Sequence, residues 1–159
     1  MIWCDLCASG DKRLEDCNVF ELSDFYDYCV QNNVDVIPFD RCPQPAATIR
    51  DQDFYAVFFN FSKIRSTRLL RGVCYHELGH VATGALHKVD SPYELVERSE
   101  HRAIRWAAEH FLTEEAFREA FQAGYTELWQ LADYFDLPEA DIQSALSYWT
   151  QCKGVCFGT

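Results

Sequence analysis

Apolar and polar positions recur along the first half of the chain with spacings that predict both helices and strands. Apolar residues three and four positions apart predict a helix over residues 21–33. Two short runs rich in β-branched and aromatic residues predict strands over residues 34–39 and 54–59. A longer helix follows, capped by Ser66 or Thr67 and running to about Thr83, where Gly84 provides a stop signal.

The second half of the chain is predicted to be helical throughout. Ser91-Pro92-Tyr93-Glu94 has the pattern of a capping box with proline at the first helical position, and it predicts a helix to about residue 112. Thr113 would cap a short helix. Residues 126–135 and 139–149, separated by a break at 136–138, form a closing helical pair.

This order of elements predicts an α+β fold. We expect a small antiparallel or mixed sheet near the N-terminal half, packed on the helices that follow it, and a C-terminal helical region. The chain has 159 residues and shows no internal repeat and no long linker. We therefore expect one domain over residues 1–159, with residues 1–20 and 152–159 as cysteine-bearing extensions.

The segment His76-Glu77-Leu78-Gly79-His80 points to a specific chemistry. Two histidines four residues apart lie about 40° from each other around a helix, one turn apart, so both imidazoles can bind one metal ion. Neutral imidazole is a good zinc ligand, and the glutamate between the histidines is placed to take a proton from metal-bound water. The pattern predicts His76 and His80 as zinc ligands and Glu77 as the general base.

A catalytic zinc site needs a third protein ligand, and Glu100 is the strongest candidate. On the second long helix, Glu100 lies at the centre of an apolar stripe, where an acid is costly unless it is paired or bound to a cation. Glu97 lies at the edge of this stripe and His101 outside it. His87 is the main competitor, but on a continuous helix it would lie about 10 Å beyond His80, which is too far to bind the same ion. A buried salt bridge from Glu100 to an arginine is the alternative without a metal.

Charge and composition exclude several classes of protein. The formal net charge of −11 argues against a nucleic-acid partner, since phosphates would repel the chain. Four basic residues precede the metal motif and predict a solvated helix face or, alternatively, a contact with an acidic partner: Lys63, Arg65, Arg68 and Arg71. No run of 18 apolar residues and no secretory signal are visible, so we expect a cytoplasmic protein without a membrane span.

Eight cysteines are many for such a chain. Their spacing shows no regular framework, so we expect most of them to be reduced thiols. Cys4 and Cys7 could join Cys152 and Cys156 in a second, structural zinc site if the two ends of the chain meet.

Residues 54–113 resemble the ImmA/IrrE family of small zinc metallopeptidases. Family members carry a strand ending in asparagine, an arginine-bearing helix leading into the His-Glu-Leu-Gly-His motif, and a Glu-x-x-Ala helix. The matching positions are Asn60, Arg68, Arg71, residues 76–80, Glu100, Ala103 and residues 106–108, with a looser likeness over residues 131–138. The chain departs from the family at Ile104, where asparagine is usual, and at residues 110–113.

These observations together predict a zinc-dependent endopeptidase. His76, His80 and Glu100 would bind Zn²⁺ and leave a fourth position for a water molecule, which Glu77 would activate for attack on a peptide carbonyl. A second donor to the oxyanion is usual, and four residues are candidates without one being preferred: Tyr75, Tyr93, His101 and His110. The family resemblance implies a protein substrate, namely a helix-turn-helix transcriptional repressor of phage or mobile-element type. The alternative is a non-catalytic, zinc-containing module that binds a partner protein.

Overall fold

The computed structural model describes residues 19–52, 54–86 and 92–158. The six helices in these ranges are α1 (Leu22–Gln31), α2 (Thr67–Thr83), α3 (Tyr93–Phe111), α4 (Glu114–Gln122), α5 (Leu128–Phe135) and α6 (Glu139–Ser147). A 3₁₀ turn covers Phe61–Lys63, and a π-helical turn over Tyr148–Cys152 extends α6. Across these ranges no helix combines the length and the apolar character that crossing a membrane requires.

Three strands form one mixed sheet in the order β1-β3-β2. The strands are β1 (Val34–Pro38), β2 (Ala46–Asp51) and β3 (Phe54–Phe59). The central strand β3 pairs in parallel with β1 and antiparallel with β2. The α+β fold with a small mixed sheet is thus confirmed.

The edge strand β2 is absent from the sequence prediction. Its residues, Ala-Ala-Thr-Ile-Arg-Asp, include only two of strong strand preference and directly follow the turn signals Pro43 and Pro45. Pairing with β3, which the local sequence does not reveal, is what orders this segment.

Helix α2 is the centre of the molecule, because it contacts α1, β2 and α3. Buried residues occur on all of its sides, among them Gly72, Leu78 and His80. Phe20, Phe25 and Phe59 fill the space between this helix, α1 and the sheet. The metal motif therefore lies on a rigid, enclosed element and not on a surface helix.

The helix ends were largely readable from the sequence. Ser66 accepts a hydrogen bond from the Leu69 N–H and caps α2, and Thr113 caps α4 in the same way. Gly84 ends α2 in the left-handed conformation, with φ of 59°. Helix α3 begins one position later than predicted, at Tyr93, with Pro92 as its N-cap residue. Ser91 and its predicted capping role lie outside the described residues.

The basic residues before the metal motif do not form a free basic face. Arg71 is buried and contacts Glu21 at 2.8 Å and Asp136 at 3.4 Å. Arg68 contacts Asp133 at 2.8 Å and the same Asp136 at 3.2 Å. The prediction of a solvated position is wrong for Arg71, which is buried, whereas Arg68 stays partly exposed. Acids at the start of α1 and at the end of α5 pair with both arginines.

The residues after α6 fold back onto α4. Phe157 packs against Phe117 and Phe121 with ring centroids 5.8 and 5.2 Å apart, respectively. Cys152 and Cys156 are exposed free thiols. Cys4 and Cys7 lie outside the described residues, as does the rest of the chain before residue 19, so the second zinc site stays a prediction.

Candidate metal centre

Helices α2 and α3 bring three potential ligands to one point. The Nε2 atoms of His76 and His80 are 3.1 Å apart. Glu100 places Oε2 3.0 Å from Nε2 of His76 and Oε1 3.4 Å from Nε2 of His80. All candidate ligand atoms of the cluster lie within 4.8 Å of one another.

The spacing of this cluster fits a tetrahedral ion. Zinc binds nitrogen and oxygen at about 2.0–2.2 Å, so two ligands of a tetrahedral site lie about 3.3 Å apart. The Nε2 atoms of the histidines are 3.1 Å apart, and each lies 3.0 or 3.4 Å from the nearer oxygen of Glu100, which is close to this value. With one ligand atom taken from each residue, all three atoms lie within 4.8 Å of one another. Two imidazoles and one carboxylate also form a donor set that leaves a fourth position open, as catalytic zinc sites do. These residues can therefore hold a metal ion.

A close approach between the helices makes the cluster possible. A Cβ atom added to Gly79 would lie 2.4 Å from the backbone oxygen of Ala103 on α3. Any side chain at position 79 would therefore push α3 away from α2. Glu100 lies one turn before Ala103 on the same helix. The close packing at Gly79 therefore also allows Glu100 to reach the histidines.

The second ring nitrogen of His80 is anchored by the turn that ends α2. Nδ1 of His80 lies 2.6 Å from the carbonyl oxygen of Ala85, which directly follows Gly84. The hydroxyl of Ser99, on α3, donates to the same carbonyl oxygen. A hydrogen on Nδ1 leaves the lone pair of Nε2 directed toward Glu100 and His76, which is the tautomer that a metal ligand needs.

Charge is concentrated in this cluster. Hydrogen bonds from His76 and then from His80 hold the pKa of the Glu100 carboxyl well below its ordinary value. Burial alone lowers the pKa of His80, but the hydrogen bonds to Glu100 and Ala85 outweigh burial and raise it. In the absence of a metal, Glu100 is therefore an anion that favours a proton on His80, and a divalent cation can replace that proton.

Glu77 is buried, and its carboxylate is held from the sheet. Thr48 on β2 donates its hydroxyl to Oε2 of Glu77 at 2.6 Å. The charge of Glu77 also helps to raise the pKa of His80. The structure thus places an oriented carboxylate beside the three potential ligands.

The competing ligands are differently placed. Glu97 is exposed and lies 3.8 Å from His101, whose side chain is 74% exposed. This pair points into solvent, on a side of α3 other than that of Glu100. His87 lies outside the described residues.

None of the four oxyanion candidates is singled out by its position. Tyr75 is buried against Phe20 and Phe111. His110 stacks on Trp106. It lies ten residues after Glu100, about 15 Å further along α3. Tyr93 shares the face of Glu100 but is 78% exposed, two turns away at the start of α3.

Three contributors to the site were missed in the sequence. Thr48 lies on the strand that was not predicted, so no local pattern links it to Glu77. Ser99 directly precedes Glu100 and is 6% exposed; a serine within a helix beside a candidate ligand is the signal that was available. The Ala85 carbonyl follows the predicted helix stop, and a carbonyl just past a C-cap is a common partner for a histidine in the last turn.

Comparison with known proteins agrees with this geometry. The sequence profile of the Peptidase M78 family, described as the IrrE N-terminal-like domain, matches residues 68–147. The chain belongs to this family. The match runs from the first turn of α2 to the end of α6 and includes the two histidines, Glu77 and Glu100. No curated protein and no solved structure gives a significant match.

Membership of the M78 family confirms the resemblance predicted from the sequence and supports a metallopeptidase-type role. The matched region covers the predicted C-terminal helical part more fully than the sequence motifs indicated, whereas strand β3 lies outside it.

Proposed function

We propose that this M78 family member is a zinc-dependent endopeptidase that cuts a specific partner protein. The observation that carries the proposal is the tetrahedral spacing of His76, His80 and Glu100, next to the buried carboxylate of Glu77. A zinc-binding protein without activity has no need for an oriented carboxylate at this point, but hydrolysis requires one.

In this proposal, different residues bind the metal, transfer the proton and orient the general base. His76, His80 and Glu100 would hold the ion, and zinc bound there would supply a Lewis acid that polarises a peptide carbonyl and lowers the pKa of water. Glu77 accepts a proton from the attacking water and delivers it to the leaving amine. Thr48 keeps the Glu77 carboxylate in one orientation through its 2.6 Å hydrogen bond.

The outer edge of β2 supplies a place for an extended peptide. Among the described strands, β2 forms one edge of the sheet. The Asn60 N–H donates to the Pro45 carbonyl at 2.8 Å, so the odd-numbered positions of β2 bond to β3. The N–H groups of Ala46, Thr48 and Arg50 therefore point to the open edge. A substrate strand paired there would run past the residue that holds Glu77.

Arg50→Pro tests this mode of binding. It removes one outward N–H without breaking the ladder to β3, and an edge strand tolerates proline in such a position. We expect KM to rise several-fold with kcat little changed. Arg50→Ala is the matched control, because it removes the same side-chain contacts with Gln52 and Tyr55 and keeps the N–H. Equal KM values for the two variants would contradict pairing along this edge.

For the substrate we propose a helix-turn-helix repressor of phage or mobile-element type, as the family resemblance implies. The support is the membership of the M78 family together with the enclosed setting of Glu77, which suits one partner better than general proteolysis. The net charge of −11 favours a contact with the protein itself and not with its DNA.

The decisive experiment compares the wild-type protein with Glu77→Gln. We expect about one zinc per chain in both, since Glu77 is not among the ligands. New protein N-termini, mapped by mass spectrometry in cells that express each form, should appear only with the wild type. Purified repressor incubated with wild type should yield the same cut.

Two results would overturn the proposal. Absence of zinc from the wild-type protein would exclude a zinc enzyme. Zinc in both forms, with identical sets of N-termini, would instead favour the alternative of a non-catalytic, partner-binding module. A cut in a protein other than a repressor would overturn only the substrate assignment.

A further inference from the structure

Arg50 on the edge strand β2 lies on the same face of the sheet as Thr48. Side chains two residues apart on a strand point to the same side, about 6–7 Å from each other. Thr48 reaches Glu77 of α2 with its hydroxyl at 2.6 Å, so this side of β2 faces the metal-binding helix. Arg50 therefore lies one step further along the open edge, beside the path proposed for the peptide.

The contacts of Arg50 place it near the end of α2. Arg50 is the cross-strand neighbour of Tyr55 on β3, and its guanidinium carbon lies 5.3 Å from the centre of the tyrosine ring. A Cβ atom at Gly84, the residue that ends α2, would lie 3.3 Å from the Tyr55 hydroxyl oxygen. Tyr55 thus reaches from the sheet to the residue one turn after His80, and Arg50 lies over its ring.

The Arg50 side chain is held in place, but its charge is not neutralised. Its Nε donates to the Gln52 carbonyl at 2.7 Å, and the Tyr55 ring supports the guanidinium group. Both partners are neutral, and among the residues that the structure describes no carboxylate pairs with Arg50. Asp51, the next residue, points to the opposite face of the strand. Arg50 is exposed, so its two terminal nitrogens are open to a ligand from outside.

The ligand that suits these nitrogens is a carboxylate, because the planar fork of N–H donors matches its two oxygens. A peptide strand paired with the open edge of β2 would place its side chains opposite those of β2, with Cβ atoms about 4.5–5.5 Å apart. One peptide residue would then lie beside Thr48, and the residue two positions away would lie beside Arg50. Asp or Glu at that second position can reach the guanidinium group, whereas Lys or Arg would be repelled.

This inference rests on the proposed function, since it concerns the peptide that the centre would cut. We propose that Arg50 is a specificity-determining residue, which selects Asp or Glu at one fixed position of the substrate near the cut. The net charge of −11 disfavours acids along the rest of the peptide, so this one local cation also fixes the register of the substrate on β2.

A purely protective role for Arg50 gives different expectations. Charged side chains on an edge strand hinder the pairing of two copies of a protein. If Arg50 served only this purpose, its replacement would change the solubility or the oligomeric state. The residue preference around the cut would stay as it is in the wild type.

The test incubates the zinc-loaded, full-length protein with a peptide library randomised at every position, and mass spectrometry reads the products. Glu77→Gln serves as the blank. At one position the wild type should prefer Asp and Glu over Asn and Gln by about fivefold. Arg50→Gln should abolish this preference, and Arg50→Glu should replace it with a preference for Lys and Arg.

Arg65→Glu is the matched control, because it changes the net charge as much as Arg50→Glu does. Arg65 is exposed and precedes α2, about 13 Å or more along the helix from His76. This variant should keep the wild-type preference. Zinc content and urea unfolding midpoints check that each variant is folded and loaded.

The outcomes separate this inference from the proposed function. No acid preference in the wild type, or the same preference in the wild type and in Arg50→Gln, would overturn the role of Arg50 and leave the zinc enzyme standing. A library that the wild type leaves as uncut as Glu77→Gln does would overturn both this inference and the pairing at β2. The N-termini mapped in cells would then decide separately whether the protein is a peptidase.

Discussion

The two ends of the metal motif are supported in different ways. At His80, the support is local: the turn after α2 supplies the Ala85 carbonyl, and Ser99 on the adjoining helix holds it. At His76, no described residue lies within hydrogen-bond distance of the second ring nitrogen, and the turn of α2 before it packs through Gly72 against Asp141 and Pro138 at the start of α6. His80 is also the more enclosed, with 8% of its side chain exposed against 31% for His76.

This difference teaches which contacts a sequence can reveal. The partner of His80, the Ala85 carbonyl, lies five residues after it and just past the predicted helix stop at Gly84, so a local signal for this contact exists in the sequence. The His76 end depends on packing between α2 and α6. One half of the centre should therefore tolerate single changes, whereas the other depends on a distant element.

The largest effect is expected from removing Glu100, the potential ligand that contacts both histidines. Glu100→Ala should lower zinc affinity by more than about 100-fold, beyond the 10–100-fold typical of an outer partner. Glu97→Ala is the matched control, one turn earlier on α3 and exposed. Metal content after dialysis measures both. Zinc retained in Glu100→Ala and lost in Glu97→Ala would show that the cluster is not the metal site.

A pair of glycine variants compares the two ends directly. Gly79→Ala places a Cβ 2.4 Å from the backbone oxygen of Ala103, and backbone cannot give way without moving α3. We expect it to lower the free energy of unfolding by about 1–3 kcal/mol and to weaken zinc binding severely. Gly72→Ala meets the Asp141 carboxylate and the Pro138 ring at 2.6 Å; the aspartate side chain can rotate away, whereas the proline ring yields only if α6 shifts.

Because one of its contacts is a flexible side chain and none is backbone, Gly72→Ala should cost less stability than Gly79→Ala. It should still reduce zinc affinity, because a shift of α6 against α2 disturbs the turn that precedes His76. Urea unfolding of the metal-free proteins and chelator competition measure the two quantities. If Gly72→Ala were the more destabilising of the two, the contact between α2 and α6 would be the tighter one, contrary to this interpretation.

Helix positions and fold class were predictable because their signals are local. Ser66, Gly84 and Thr113 mark helix ends by their own chemistry, and the apolar stripe on α3 singles out Glu100. Strand β2 and the strand order were not predictable, because they depend on pairing between segments far apart in sequence. The hydrogen bond from Thr48 to Glu77 and the ion pairs of Arg71 with Glu21 and Asp136 also join distant segments, so they could not be predicted either.

A smaller effect concerns pH in the metal-free protein. The pKa of Glu100 is lowered from 4.5, so its contribution to stability is present above that value and is lost as pH falls through the folded-state pKa. The pKa of His80 is raised from 6.5, so its contribution is present below that value and is lost as pH rises through the folded-state pKa. Both changes describe one interaction, which stabilises most between these two ordinary values.

Glu100→Gln should reduce the loss of stability both at low pH and at high pH. We expect each change in unfolding free energy to be less than about 1 kcal/mol, because Glu100 is partly exposed. Urea midpoints measured from pH 3 to 8 test it. Unchanged limbs in the variant would assign the pH dependence to other groups.

The smallest expected effect concerns the anchor of His80, which is built from the turn after α2. Ser99→Ala removes one of the two donors to the Ala85 carbonyl, and His80 keeps that carbonyl as its partner. Thr83 still accepts the Ala85 N–H at 3.2 Å, so the turn remains tied to α2. We expect a loss of about 0.5–1.5 kcal/mol in unfolding free energy and less than about a tenfold loss in zinc affinity. A loss of affinity in Ser99→Ala larger than in Gly72→Ala would reverse the comparison, because the local anchor of His80 would then be the one on which the centre depends.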